Sequence, residues 1–166
     1  MSDGGVPMSD GGVPLNAGVH YPPPLLYVAG IAVGWLLDRA RALPITGHPS
    51  TTRAALALAF AVGWLALFAP ALGAFLRKHT TIIPDRPATA LVTSGIYRLT
   101  RNPMYLSLAC LYVAVTLVLD SWWPIVFLPL VIVAVDRLII RREERYLAQA
   151  FPTEYPAYRE RVRRWV

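Results

Sequence analysis

The chain has 166 residues, of which 55% are hydrophobic and only 16% charged, with sixteen Lys and Arg against ten Asp and Glu. A soluble domain carries about 25% charged residues, and here the deficit is concentrated in a few long apolar runs, which excludes an ordinary soluble core. The net charge of +6 does not mark a nucleic-acid binder, because the basic residues flank the apolar runs instead of forming a stripe with interleaved aromatics.

In chain order, MSDGGVP occurs twice, at residues 1–7 and 8–14, in a stretch rich in Gly, Pro and Asp. Residues 1–20 are expected to form a disordered tail, since such a composition cannot bury a core. Residues 1–37 contain no Lys or Arg, so no signal peptide with a basic leader is expected. Residues 21–166 read as one membrane domain. Its first apolar run follows Pro22-Pro23-Pro24, covers about residues 25–43 and ends among Asp38, Arg39 and Arg41, with the arginines snorkelling toward the interface. The second, residues 54–76, carries no charge; Pro70 is expected to kink it.

The third run covers residues 103–119 and the fourth residues 121–140, continuing through Asp136 and Arg137. Only Asp120 and Ser121 separate them, followed by Trp122 and Trp123, which predicts a tight helical hairpin with an aromatic belt at its turn. A span needs about 20 apolar residues, so the third and fourth runs are just long enough. A membrane barrel would alternate apolar and polar residues in segments of about ten, and these runs do not. The expected fold is all-α: an integral membrane bundle of about four transmembrane helices with a cytoplasmic C-terminal helical extension over residues 141–166.

Basic residues set the expected topology. With four spans, thirteen Lys and Arg share one side with both termini and three (Arg39, Arg41 and Arg53) lie on the other. The positive-inside rule places the larger group in the cytoplasm. The first span alone, with no basic residue before it, points the other way; the larger total is taken to decide. The expected location is the cell membrane, with the functional face toward the cytoplasm.

The familiar signatures of soluble enzymes are missing. No glycine-rich nucleotide loop occurs, and His20, His48 and His79 are scattered without ligand spacing, so no metal site is expected. Cys110 is the single cysteine. Two polar clusters remain: residues 94–105, leading into the third span, and Arg141-Arg142-Glu143-Glu144-Arg145, ending the fourth. Each alone reads well as a helix end, with Asn102 as a cap and Pro103 at the first helical position. A short hairpin turn, however, brings the outer ends of its two helices together. Arg101, Asn102 and Tyr105 are therefore expected opposite Arg142, Glu143 and Glu144, where a polar cofactor would meet a lipophilic acceptor.

The order Gly95-Ile-Tyr97-Arg98-Leu-Thr-Arg101-Asn102-Pro103-Met-Tyr105, an apolar hairpin, Arg-Arg-Glu-Glu-Arg and the tail Glu154-Tyr155-Pro-Ala-Tyr158 resembles the isoprenylcysteine carboxyl methyltransferase and phospholipid methyltransferase family. The resemblance covers about residues 77–166, including Thr80, Thr81 and Pro84. It implies S-adenosylmethionine as methyl donor, bound by Gly95, Tyr97, Arg98, Asn102, Pro103, Tyr105, Glu143 and Glu144. Arg101, Asn102, Tyr105, Arg142 and Glu143 are the implied catalytic set, and a lipid or other lipophilic molecule the implied acceptor: a carboxylate, an amine or a thiol. Asn102 stands where many members have His, and Ser107 where Gly is common. Of the glutamates, Glu143 is expected to matter more, with Glu144 exposed. The competing readings are a non-catalytic four-helix membrane protein and a membrane reductase of the sterol-reductase type using a nicotinamide cofactor.

Overall fold

A computed structural model of the chain describes Gly18, residues 22–78 and residues 89–165. The expected tail lies outside the described residues apart from Gly18, as do Thr80, Thr81 and Pro84. Among the described residues every named element is helical: α1 (Pro24–Ala40), α2 (Thr51–Lys78), a 3-10 turn (Gly95–Arg98), α3 (Pro103–Leu119), α4 (Trp122–Val135), a π turn (Asp136–Ile140), α5 (Arg141–Ala150) and α6 (Glu154–Arg161). Among these residues extended pairing is confined to an isolated antiparallel bridge between Pro44 and Ser121. The α4 helix, π turn and α5 run on as one 29-residue helix, Trp122–Ala150.

Contacts divide the chain into two units. Among the described residues, one holds residues 23–69 and 103–135, the other Gly18, Pro22 and residues 70–78, 89–102 and 136–165. In the first unit α1, α3 and α4 pack on one another. Pro24 starts α1 at a position where a missing N–H costs nothing. Gly30 and Gly34, one turn apart on α1, allow α4 to come close: a Cβ on Gly30 would lie 2.5 Å from Val131 Cγ2, and one on Gly34 2.6 Å from the Pro124 nitrogen. Small residues of this kind let helix backbones approach within an apolar environment. Two buried phenols sit in the same core with their hydroxyls satisfied. Tyr27 donates to the Tyr105 carbonyl at 2.9 Å and Tyr112 to the Pro124 carbonyl at 2.7 Å, as buried polar tips require.

The hairpin turn is as short as the sequence predicts. Asp120 has φ +55°, a left-handed conformation that Asp tolerates better than most residues. Its carboxylate accepts from the Thr46 and Gly47 amides at 2.9 and 3.1 Å and pairs with Arg53 at 3.4 Å. The Thr46 amide and the Arg53 charge hold its pKa below the usual carboxylate value. Ser121 donates to Asp38 at 2.8 Å and the Trp123 indole to the Arg41 carbonyl at 2.7 Å. Asp38 and Arg41 thus fasten the end of α1 to the hairpin. The α1 helix stops at Ala40, because Arg41 is extended, short of the residue 43 expected.

The outer faces of these helices are apolar. Leu58, Val62 and Leu65 of α2 are 65%, 58% and 55% exposed, and Val126, Leu130 and Val133 of α4 are 60%, 64% and 53% exposed. Rows of exposed aliphatic side chains this long suit lipid, not water. Two helices, Thr51–Lys78 and Trp122–Ala150, are long and apolar enough to cross a bilayer; α3 is apolar but shorter, at 17 residues.

Candidate functional site

The second unit gathers the polar residues. Gly95 opens the 3-10 turn with φ +63°, and a Cβ there would meet nothing within 4 Å. The glycine therefore serves the backbone conformation and not a close contact. The turn delivers Tyr97 inward, where it is 6% exposed, its ring edge-to-face with Phe75 at 5.7 Å and its carbonyl accepting from the Tyr158 hydroxyl at 2.6 Å. Tyr155 and Tyr158, three residues apart on α6, are also buried and contact each other edge-to-face at 6.3 Å.

Arg101 is the centre of the cluster. Its backbone amide donates to the Arg163 carbonyl at 3.0 Å. Its guanidinium, 10% exposed, lies 3.3 Å from Glu144 and donates to the Tyr155 hydroxyl at 3.4 Å. The Arg101 Nε is buried and has no hydrogen-bond partner among the described residues. Glu144 is only 12% exposed and also accepts two bonds from Arg164, at 3.1 and 2.5 Å. Arg164 reaches Asp136 in the π turn at 3.2 Å as well. These carboxylates hold its guanidinium more firmly charged than usual, the Glu144 hydrogen bond first. The Arg164 carbonyl accepts from the Thr100 hydroxyl at 3.1 Å and the Asn102 side-chain amide at 2.9 Å, while the Asn102 backbone amide donates to Thr100 at 3.2 Å.

The electrostatics keep the phenols neutral. Burial pushes Tyr155 up to about 12, with the Glu144 charge adding to it and Arg101 partly opposing it. Burial also raises Tyr97 and Tyr158, and the Glu143 carboxylate contributes to the rise at Tyr97. Glu143 therefore stands within electrostatic reach of Tyr97, while Glu144 holds the two arginines.

Of the residues singled out in the sequence, the structure brings Tyr97, Arg101, Asn102, Glu143 and Glu144 into this unit. Arg142 is half-buried, its guanidinium 3.5 Å from the Gly18 carbonyl. Gly95 and Arg98 are exposed. Pro103 and Tyr105 are buried and belong to the helical unit, where the Tyr105 carbonyl takes the Tyr27 hydroxyl. Ser107 is fully buried with its hydroxyl turned back to the Met104 carbonyl at 2.6 Å. One expectation is overturned: Glu144 is not exposed. The π turn explains why. It adds one residue to the helical turn that precedes α5, rotating α5 by about 100° from the course of an uninterrupted α-helix. Sequence reasoning gave no role to Arg164, Asp136, Thr100, Tyr155 or Tyr158. The tyrosine spacing of the tail was the available signal; nothing distinguishes Arg164 from Arg161 and Arg163 by sequence.

Comparison with known proteins decides the family. The profile of the phospholipid methyltransferase family matches residues 51–154, from the start of α2 to the start of α6. The chain belongs to this family. As a phospholipid methyltransferase family member with outward-facing apolar helices, it is a membrane protein. The family match favours a methyltransferase over the reductase and the non-catalytic bundle. An uncharacterized protein of Haemophilus influenzae is 41% identical over 66 residues, covering all of that protein and 38% of this chain. No solved structure matches it. Among the described residues no cluster of His, Cys, Asp and Glu is arranged to hold a metal ion.

Proposed function

We propose that this family member transfers a methyl group from S-adenosylmethionine to a lipophilic acceptor at the cytoplasmic membrane face. In this reading α1, α2, α3 and α4 cross the bilayer and both termini lie in the cytoplasm. The 17-residue helices α1 and α3 stand at the lower end of the range for a span.

The observation that carries the reading is the meeting of Arg101, from the Arg-Asn-Pro-Met-Tyr element, with Glu144, from the paired glutamates, in a largely buried cluster. The donor set fits S-adenosylmethionine. The unpartnered Arg101 Nε is a donor that suits a carboxylate. Glu143 suits an ammonium group or ribose hydroxyls, and the ring of Tyr97 suits a sulfonium as a cation–π partner. Gly95, Arg98 and Asn102, in the same unit, are the further residues assigned to the donor. Bound there, S-adenosylmethionine supplies a methyl group already activated for in-line displacement.

The protein's own work is then alignment and exclusion of water. The clamp of Arg164 on Glu144 fixes one anchor of Arg101, and Asn102 ties the helix start to the C-terminal segment. A carboxylate acceptor needs no general base and is held by Arg142; an amine acceptor gives its proton to one of the paired glutamates, Glu143 or Glu144. The test is transfer of label. Membranes containing the chain are incubated with methyl-tritiated S-adenosylmethionine and the lipids extracted. The reading predicts label in the lipid fraction, lost with Glu143→Gln. Absence of transfer to any extractable lipid by a folded protein that binds the donor would overturn the acceptor class.

A further inference from the structure

On the C-terminal unit lies a cleft of about 440 Å3 lined by Arg137, Arg141, Arg145, Arg159, Arg164 and Glu144. Three of these arginines recur every four residues along the continuous helix Trp122–Ala150, beginning two residues after its apolar part ends at Val135. They start, in sequence, where a spanning helix would reach lipid headgroups.

The charges in the cleft do not balance. Five guanidinium groups face two carboxylates, Glu144 on its wall and Asp136 beside it. Glu144 is shared with Arg101, and Asp136 is shared between Arg141 at 2.8 Å, Arg164 at 3.2 Å and Arg137 at 3.9 Å. Arg145 and Arg159 are exposed and form no ion pair among the described residues; the Arg145 Nε donates only to the Arg141 carbonyl at 3.4 Å. Like charges held this close repel, and an anion entering the cleft removes that cost. Arginine's planar fork matches phosphate oxygens, and the cleft volume is of the size that takes a headgroup.

We infer that this cleft binds a phosphate-bearing anion, with the headgroup of an anionic membrane lipid as its source. The inference does not rest on methyl transfer, and its test reads binding with no donor present. It also links the ligand to Arg164 and Glu144, which belong both to the cleft and to the cluster around Arg101.

The full chain in neutral detergent is titrated with fluorescent short-chain phosphatidylglycerol, and separately with inorganic phosphate. Saturable phosphatidylglycerol binding is expected. The pair Arg145→Gln and Arg159→Gln should weaken it roughly twenty-fivefold, from about fivefold per arginine. The pair Arg161→Gln and Arg163→Gln removes the same charge from exposed positions outside the cleft and should change it less than threefold. Arg145→Lys with Arg159→Lys keeps the charge but not the fork and should restore part of the affinity, and melting temperatures verify that all three variants fold. Displacement of the lipid by millimolar inorganic phosphate would uphold the phosphate site and make the free ion its ligand. Equal losses for the two glutamine pairs, or no saturable binding of either probe, would overturn the inference.

Discussion

Arg164 grips Glu144 with two hydrogen bonds, at 3.1 and 2.5 Å, while its own main-chain carbonyl accepts the side-chain amide of Asn102 at 2.9 Å. One residue near the end of the chain thus ties together both polar elements that the sequence marks, one before α3 and one in α5. The arrangement makes Glu144 a structural link between them.

Glu144→Gln should therefore act on stability first. It leaves Arg101, 10% exposed, beside a neutral partner, and breaking a buried pair in this way costs about 3–5 kcal/mol. Glu143→Gln should cost less stability than Glu144→Gln and weaken S-adenosylmethionine binding roughly ten- to a hundredfold, as loss of one charge-assisted hydrogen bond does. Thermal melts and donor titrations of both variants separate the two roles. Equal melting losses would mean that both glutamates are structural.

Arg164→Lys should cost about 1–2 kcal/mol of stability, because an ammonium cannot span Glu144 and Asp136 as the guanidinium fork does. Arg163→Gln, at an exposed neighbouring position, should stay within about 0.5 kcal/mol of the parent. Chemical denaturation in detergent distinguishes them.

The close approach of α1 and α4 makes a steric prediction. Gly34→Ala places a Cβ 2.6 Å from backbone of Pro124, which cannot move aside, and should destabilise by about 1–3 kcal/mol or more. Gly63→Ala, where the Cβ would meet the Cys110 sulfur at 4.0 Å, should be neutral or slightly stabilising, since alanine is the better helix former. Melting temperatures of the two variants should move in opposite directions or differ by several degrees.

Asp120 gives a pH dependence. Its folded-state pKa is lowered, by the Thr46 amide first, so its contribution is present above the ordinary carboxylate value of about 4. That contribution disappears as pH falls through the folded value. Asp120→Asn should therefore lower the melting temperature at pH 7, and the gap between variant and parent should shrink progressively below about pH 4. A gap that stays constant across this range would remove the charge from the account of the hairpin.

Much of this architecture is legible in the residues. Apolar runs of the right length locate α2, α3 and α4, and the two-residue break at Asp120 and Ser121 forces a hairpin. Pro103 starts α3 as its fixed φ suggests. The site is legible only to the resolution of its motifs. The face of α5 is not, because the π turn at residues 136–140 shifts the register by one residue from an uninterrupted α-helix, and no residue of Asp136–Ile140 announces it. Arg164 is not, because its partners Asp136 and Glu144 lie 28 and 20 residues away and its neighbours in sequence are chemically the same. The Gly30 and Gly34 pair was a readable signal for a close helix contact that composition alone does not bring forward.

The most direct measurement is calorimetric titration of S-adenosylmethionine into the detergent-purified full chain and into its Arg101→Gln variant, with melting curves confirming that both are folded. The account predicts saturable binding to the parent and at least a tenfold loss in the variant, because Arg101 carries the unpartnered buried Nε at the centre of the cluster. Absence of binding to the folded parent, or equal affinity in the two proteins, would contradict it.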